Sequence, residues 1–199
     1  ALKLAGVTEK TPAPPGGEIV RDPKTGRLTG ILKDEAMGLV NRKIPPLTEE
    51  ESADAARSAL KEASKYGLTG IQDMSTPDML KIYRTLIDRG ELTSRLYCRL
   101  PLGTPFDTLP EPAQEKGYGN EMIRTGSLKA FADGSLGSST ALFSLPYHHA
   151  PETCGLASKE LLEGLLEKNA MEADKRGWQL SIHAIGDKAN SVILDLFER

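Results

Sequence analysis

The chain has 199 residues, 39% of them hydrophobic, enough to bury the core of one domain or slightly more. Its 25 basic and 28 acidic residues are spread along the chain and leave a net charge of -3, which excludes the electrostatic footprint of a partner such as nucleic acid or an anionic membrane surface. A small-molecule substrate, neutral or mildly polar, is the partner that this balance favours.

The two cysteines, Cys98 and Cys154, lie far apart without metal-type spacing and suit reduced thiols, so a cytoplasmic location is expected. No apolar run reaches the roughly 18 residues of a membrane span, and no charged-then-apolar leader opens the chain. Ala1 to Gly6 reads as a last helical turn closing on a glycine cap, and Leu194 to Arg199 as an amphipathic pattern without a stop. Both ends therefore read as cut.

Chain order begins with a Pro-rich linker over 11–17. Glu18 to Arg21 and Arg27 to Leu32 then flank Asp22-Pro23-Lys24-Thr25-Gly26, a β-hairpin with proline and glycine at its turn. Thr48-Glu49-Glu50-Glu51 is a capping box that opens a helix with Ala53, Ala56, Ala59, Leu60 and Ala63 at helical spacing and Gly67 as its stop. Leu68 to Met74 follows as a strand. Thr76-Pro77 starts a second helix with Met79, Leu80, Tyr83, Leu86 and Ile87 on its apolar face, closed by Gly90, and Ser94 to Leu100 is the next strand. Ser127 to Phe131 is a third strand. Ser158 opens one long helix with Leu161, Leu162, Leu165 and Ala173 on one face and Gly177 at its end; Trp178 to Ala184 is a fourth strand, and Asp187 caps a final helix. Strands alternating with helices indicate parallel βαβ units and an α/β fold class. Four barrel-type strands against the roughly 250 residues of a closed (β/α)8 barrel make this half of one, and no G-x-G-x-x-G follows any strand to favour an open doubly wound sheet. The division expected is a linker and hairpin over 1–47 and a partial barrel over 48–199.

Chemistry in parallel α/β folds gathers at the carboxyl ends of the strands. Lys129 stands in the middle of the apolar strand 127–131 and is costly to bury unless neutralised, paired with Asp133, placed at a sheet edge, or covalently used as a Schiff-base nucleophile or a metal-bridging carbamate. The loop after it, from Asp133 and Gly134 through Ser138, is rich in Gly and Ser and offers backbone N–H groups to an anion. Strand alternation puts Gln179, Ser181 and His183 on one face, so a polar face ends in an imidazole where a metal ligand or general base belongs; the plainer reading is a satisfied structural histidine. His148 and His149 read as loop residues. Arg95, Tyr97 and Arg99 share a strand face that suits a carboxylate, or pair with surface Glu side chains; Asp73 ends its strand without a rank.

The strings Lys129-Ala130-Phe131-Ala132-Asp133-Gly134-Ser135-Leu136-Gly137-Ser138 and His183-Ala184-Ile185-Gly186-Asp187, with Pro15-Gly16-Gly17-Glu18-Ile19, Thr25-Gly26 and Thr29-Gly30 before them, resemble the amidohydrolase 3 branch of the metal-dependent amidohydrolase superfamily. The similarity runs through nearly the whole chain in the family's order. It implies part of a (β/α)8 TIM-type barrel, about strands 2 to 5, with the hairpin as an insertion over the site. It implies a metal-dependent hydrolase of C–N bonds with one or two divalent metal ions, commonly zinc. Lys129 falls where the family has its fourth-strand lysine, often carboxylated, and His183 where it has its fifth-strand histidine ligand; Asp133, Gly134 and Ser138 fall on the substrate side. The family's first-strand His-x-His, sixth-strand His and eighth-strand Asp, the general base, have no counterpart in this sequence and would lie before Ala1 and after Arg199. Two other readings stay open: a Schiff-base barrel enzyme using Lys129, and a non-catalytic structural or binding module. Were these 199 residues the entire chain, unpaired strand edges would drive self-association into a homo-oligomer.

Overall fold

A computed structural model describes residues 1–109, 118–119 and 121–198. Two compact units divide it: one combines 1–45, 131–167 and 182–199, the other 46–130 and 168–181.

In the first unit the chain opens on a helical turn that ends as the sequence predicts. Gly6 takes a left-handed φ of 71°, and the Val7 and Gly6 N–H groups donate back to Leu2 and Lys3 O, which caps the turn. The hairpin forms from β1 (Gly17–Arg21) and β2 (Leu28–Asp34), antiparallel, with Ile19 opposite Leu32. Its turn is tied by Asp22 Oδ1, which accepts the Lys24 and Thr25 N–H groups and the Thr25 hydroxyl, with Gly26 at φ 69°. These bonds hold the Asp22 carboxyl below its ordinary range. Val7, Ile19 and Ala36 form a small core at its base. A 3-10 turn and the short helix α1 (Gly38–Asn41) follow.

The second unit is built of strand–helix alternation. Helix α2 (Glu49–Lys65) starts at the predicted capping box: Thr48 Oγ1 accepts the Glu51 N–H at 3.2 Å and Glu51 Oε2 accepts the Thr48 N–H at 2.8 Å. Ala53, Ala56, Leu60 and Ala63 are its buried face. Strand β3 (Gly70–Met74) leads to α3 (Pro77–Asp88), where Thr76 caps and Pro77 occupies the first turn. Leu80, Ile82, Tyr83 and Leu86 are buried; Ile82 takes the place that periodicity gave to the half-buried Met79 and Ile87. Strand β4 (Arg95–Pro101) pairs in parallel with β3 and with β6 (Ile123–Phe131), and a two-residue strand, β5 (Tyr118–Gly119), runs antiparallel to β6.

β6 begins four residues earlier than the apolar pattern suggests. A register shift between Cys98 and Arg99 accommodates Gly126. A Cβ on Gly126 would lie 1.7 Å from the Tyr97 ring, so only glycine leaves space for that ring.

The single long helix expected from Ser158 is two helices, α4 (Lys159–Leu162) and α5 (Leu165–Lys175), because Gly164 adopts a left-handed φ of 70° between them. The break resets the helical phase. Leu166, Ala170 and Ala173 are buried, whereas Leu162 and Leu165 are exposed. Strand β7 (Leu180–His183) pairs with β6, and the bonds Leu128 N to Gln179 O and Ala132 N to His183 O advance equally along both strands, the signature of a parallel pair. Helix α6 (Asp187–Phe197) closes the described chain. Gly186, not Asp187, is its cap residue; Asp187 is the first helical residue, and its carboxylate accepts the Ser144 N–H at 2.8 Å. Arg199 lies outside the described residues.

The class is therefore mixed α/β with a parallel sheet of β3, β4, β6 and β7, the arrangement of part of a TIM-type barrel. Among the described residues no helix is long and apolar enough to cross a membrane.

Candidate functional site

In the second unit the sheet has two unlike faces. Leu96, Cys98, Leu100 and Leu128 are buried on one. The other carries polar side chains in register: Gln72 opposite Tyr97, Arg99 opposite Ser127, and Pro101 opposite Lys129. Ser127 Oγ lies 3.0 Å from Ser181 Oγ, and Tyr97 Oη 3.4 Å from Gln179 Oε1, so Gln179 and Ser181 join this polar face as alternation predicts.

Lys129 stands here, its Nζ donating to Ala130 O at 2.8 Å. Burial, and secondly the positive charge of Arg99, push its amine below the ordinary lysine range. Arg99 itself donates through Nη2 to Gln72 Oε1, and its guanidinium carbon lies 5.9 Å from the Tyr97 ring centroid. Asp73, unranked from sequence, points to the helix side of the sheet. Its Oδ2 accepts the Tyr83 hydroxyl at 2.9 Å and the Ser75 hydroxyl at 2.5 Å, and burial with this carboxylate pushes the Tyr83 hydroxyl well above its ordinary range. Asp73 is thus a tie between β3 and α3.

In the first unit His183 ends β7. Its Nε2 lies 2.9 Å from Gly134 O, a contact that requires the proton on Nε2, and 3.7 Å from Asp133 Oδ1. The ring rests on Phe131 at 5.4 Å between centroids and keeps 28% of its side-chain surface. Asp133 does not open to a substrate: its side chain has no exposed surface, and its carboxylate accepts the backbone N–H groups of Leu142, Ile185 and Gly186 at 2.8 to 3.0 Å. It binds the loop after β6 to the loop after β7, where its partner is backbone rather than Lys129. Gly134 and Gly186 allow that closeness; a Cβ on Gly186 would lie 1.7 Å from Leu142 O. Ser138 sits in a hydroxyl chain, 2.8 Å from Ser135 Oγ and 2.7 Å from the buried Thr140 Oγ1.

Sequence reasoning missed Asp34. It holds a left-handed φ of 49°, its Oδ2 is buried without a partner among the described residues, and its Oδ1 lies beside Gly134. Strain and an unsatisfied carboxylate together are costs that mark functional positions, yet a strand-ending Asp gives no signal in a sequence. His149, read as a loop residue, contacts Ser139 Oγ at 2.8 Å.

Imidazole and a lysine amine or carbamate are donors that suit zinc and similar divalent ions. Among the described residues no three His, Cys, Asp or Glu side chains come together as a metal-binding group.

Known proteins resemble the chain along its whole length. The chain is 38% identical over 213 residues to Protein LONG AFTER FAR-RED 3 of Arabidopsis thaliana, covering 100% of the chain and 35% of that protein. It is 31% identical to the putative amidohydrolase YtcJ of Bacillus subtilis (strain 168), covering 37% of it, and 30% identical to the N-substituted formamide deformylase of Arthrobacter pascens, covering 38% of it. In each case all of the chain is covered, so it spans little more than a third of these relatives' length. The crystal structure of a metal-dependent hydrolase from Pyrococcus horikoshii superposes with a TM-score of 0.72 at 27% identity, over 99% of this chain and 38% of that one. The amidohydrolase family model matches residues 1–199, and the chain belongs to that amidohydrolase family.

Proposed function

We propose that the protein to which these residues belong is a metal-dependent hydrolase of C–N bonds in amide-type small molecules, with Lys129 and His183 among its metal ligands. The observation that carries this reading is the family match along the whole chain; the strand ranges support it, with Lys129 near the carboxyl end of β6 and His183 at that of β7. The similarity to a formamide deformylase and to a metal-dependent hydrolase supports the bond type and the metal. In the proposal β3, β4, β6 and β7 are barrel strands 2 to 5, the β1–β2 hairpin is an insertion, zinc is the ion, and the cytosol is the compartment.

A bound divalent ion would supply a water acidified towards a pKa of about 7. This chain's residues do the positioning. Asp133 fixes the backbone just after His183, through the N–H groups of Ile185 and Gly186, so the imidazole is offered from a rigid frame. To serve as a ligand, Nε2 would have to leave Gly134 O and shed the proton it donates there, as in the tautomer protonated on Nδ1. The amine of Lys129, held below the ordinary lysine range by burial and then by Arg99, gives up its proton more readily than a free lysine, the state that ligation or carboxylation would need. Gly134 and Ser138 provide carbonyl and hydroxyl groups on the substrate side.

The test is hydrolysis of a panel of N-acyl and N-formyl amines by the full-length protein, with and without added zinc after chelation. Metal-restored amide cleavage is expected, and cleavage that survives complete chelation would refute the reading. The depressed amine of Lys129 favours one second reading, a Schiff-base enzyme; borohydride trapping of a carbonyl compound on Lys129 would select it.

A further inference from the structure

Ser139 is held in a conformation that an L residue adopts only at a cost. Its φ is 59°, in the left-handed region that favours glycine. The turn around it keeps it there: its N–H donates to Leu136 O at 3.1 Å, and the next two N–H groups, of Thr140 and Ala141, both donate to Ser135 O. Backbone strain of this kind gathers where a side chain must be presented. The side chain presented here is a hydroxyl, and its Oγ lies 2.8 Å from Nε2 of His149.

His149 is placed by the same loop system. Its ring stands edge-on to the Tyr147 ring, 5.4 Å between centroids and 67° between planes. Tyr147 is buried, and its hydroxyl donates to Ala141 O at 2.8 Å, so one tyrosine ties the turn that carries the histidine to the turn that carries the serine. The hydroxyls of Ser135, Ser138 and Thr140 bond among themselves, whereas that of Ser139 is directed at the imidazole. Ser139 is half-buried and His149 exposed, so the pair is within reach of a small molecule from solvent.

We propose that Ser139 and His149 form a nucleophile–base pair that takes acyl groups from activated esters without a metal. With the imidazole neutral and its proton on Nδ1, Nε2 accepts the Ser139 hydroxyl, the arrangement that activates a serine. Oγ attacks the acyl carbon, the Oγ–C bond forms, a C=O electron pair moves onto oxygen, and the hydroxyl proton passes to Nε2. The pair then returns, the bond to the leaving oxygen breaks, and that oxygen takes the proton from Nε2. The acyl group remains on Ser139. The hydrolase reading uses neither residue, and this pair does not rest on it.

The experiment uses the full-length protein, as purified and again after chelation, with p-nitrophenyl acetate as the ester. Nitrophenolate release gives the rate, and peptide mass spectrometry locates the acetyl group. Acetylation concentrated on Ser139 is expected, at the same rate before and after chelation. His149→Gln, checked for native circular dichroism, should slow it about a hundredfold, the scale of a lost general base. Ser139→Gly suits the left-handed φ, keeps the loop, and should abolish it. No preference for Ser139 over the other serines and threonines, a rate unchanged in His149→Gln, or labelling that disappears on chelation would each overturn the pair. Since the readout needs no metal, the pair can fail while metal-restored amide cleavage stands, and the reverse.

Discussion

Asp133 holds the peptide of Gly186 at 2.9 Å while its other oxygen lies 3.7 Å from the Nε2 of His183, so one buried carboxylate fixes the frame from which the histidine is presented. Replacing it tests that frame. Asp133→Ala would leave the N–H groups of Leu142, Ile185 and Gly186 without their acceptor, and the loss should be on the order of 3 kcal/mol or more, since each buried unsatisfied group costs about 1–3 kcal/mol. Denaturant unfolding measures it; a change below about 1 kcal/mol would show that the loops do not depend on this residue.

Gly126 is the next point of strain. An alanine there would collide with Tyr97, displacing the ring from Gln179 and from the Arg99 guanidinium. Gly126→Ala should destabilise by about 1–3 kcal/mol, the range for overpacking. The paired variant Gly126→Ala/Tyr97→Ala should recover most of what the collision costs. No recovery in thermal unfolding would place the damage elsewhere.

These two residues also show what a sequence conceals. Helix starts were legible, because Thr48-Glu51 and Thr76-Pro77 act through contacts only three residues long. The hairpin was legible for the same reason, through Asp22 and Gly26. The break at Gly164 was hidden because a glycine within an apolar period reads as a tolerated interruption, and only its φ reveals that the phase changes. The Asp133 role was hidden because its donors are backbone groups up to 53 residues away, which no spacing rule registers. Their places on the strands marked Lys129 and His183 as candidates and the resemblance gave them roles, but whether an aspartate beside them faces a ligand or the backbone is decided by packing.

Gly164→Ala tests the break directly. At φ 70° an L residue costs about 1–2 kcal/mol. The expected outcome is a lower unfolding midpoint with the α4–α5 break preserved in amide exchange. A stability gain would mean that the two helices prefer to merge.

Lys129 gives a pH prediction. Its folded amine lies below the ordinary lysine range through burial and Arg99, so the folded state binds this proton less tightly than the unfolded chain. The penalty is present at neutral pH and fades as pH rises towards the unfolded lysine range. Stability of wild type relative to Lys129→Met should therefore rise with pH up to that range. A difference that stays flat, or falls, contradicts the sign.

The central claim is that this chain contributes ligands to the metal centre of an amidohydrolase. Elemental analysis of the full-length protein, purified without chelator, tests it most directly beside His183→Ala and Lys129→Met variants of native circular dichroism. The account predicts about one or two divalent ions per wild-type chain and a substantial loss in both variants. Full metal content in His183→Ala and Lys129→Met, or none in wild type grown with zinc, would contradict it.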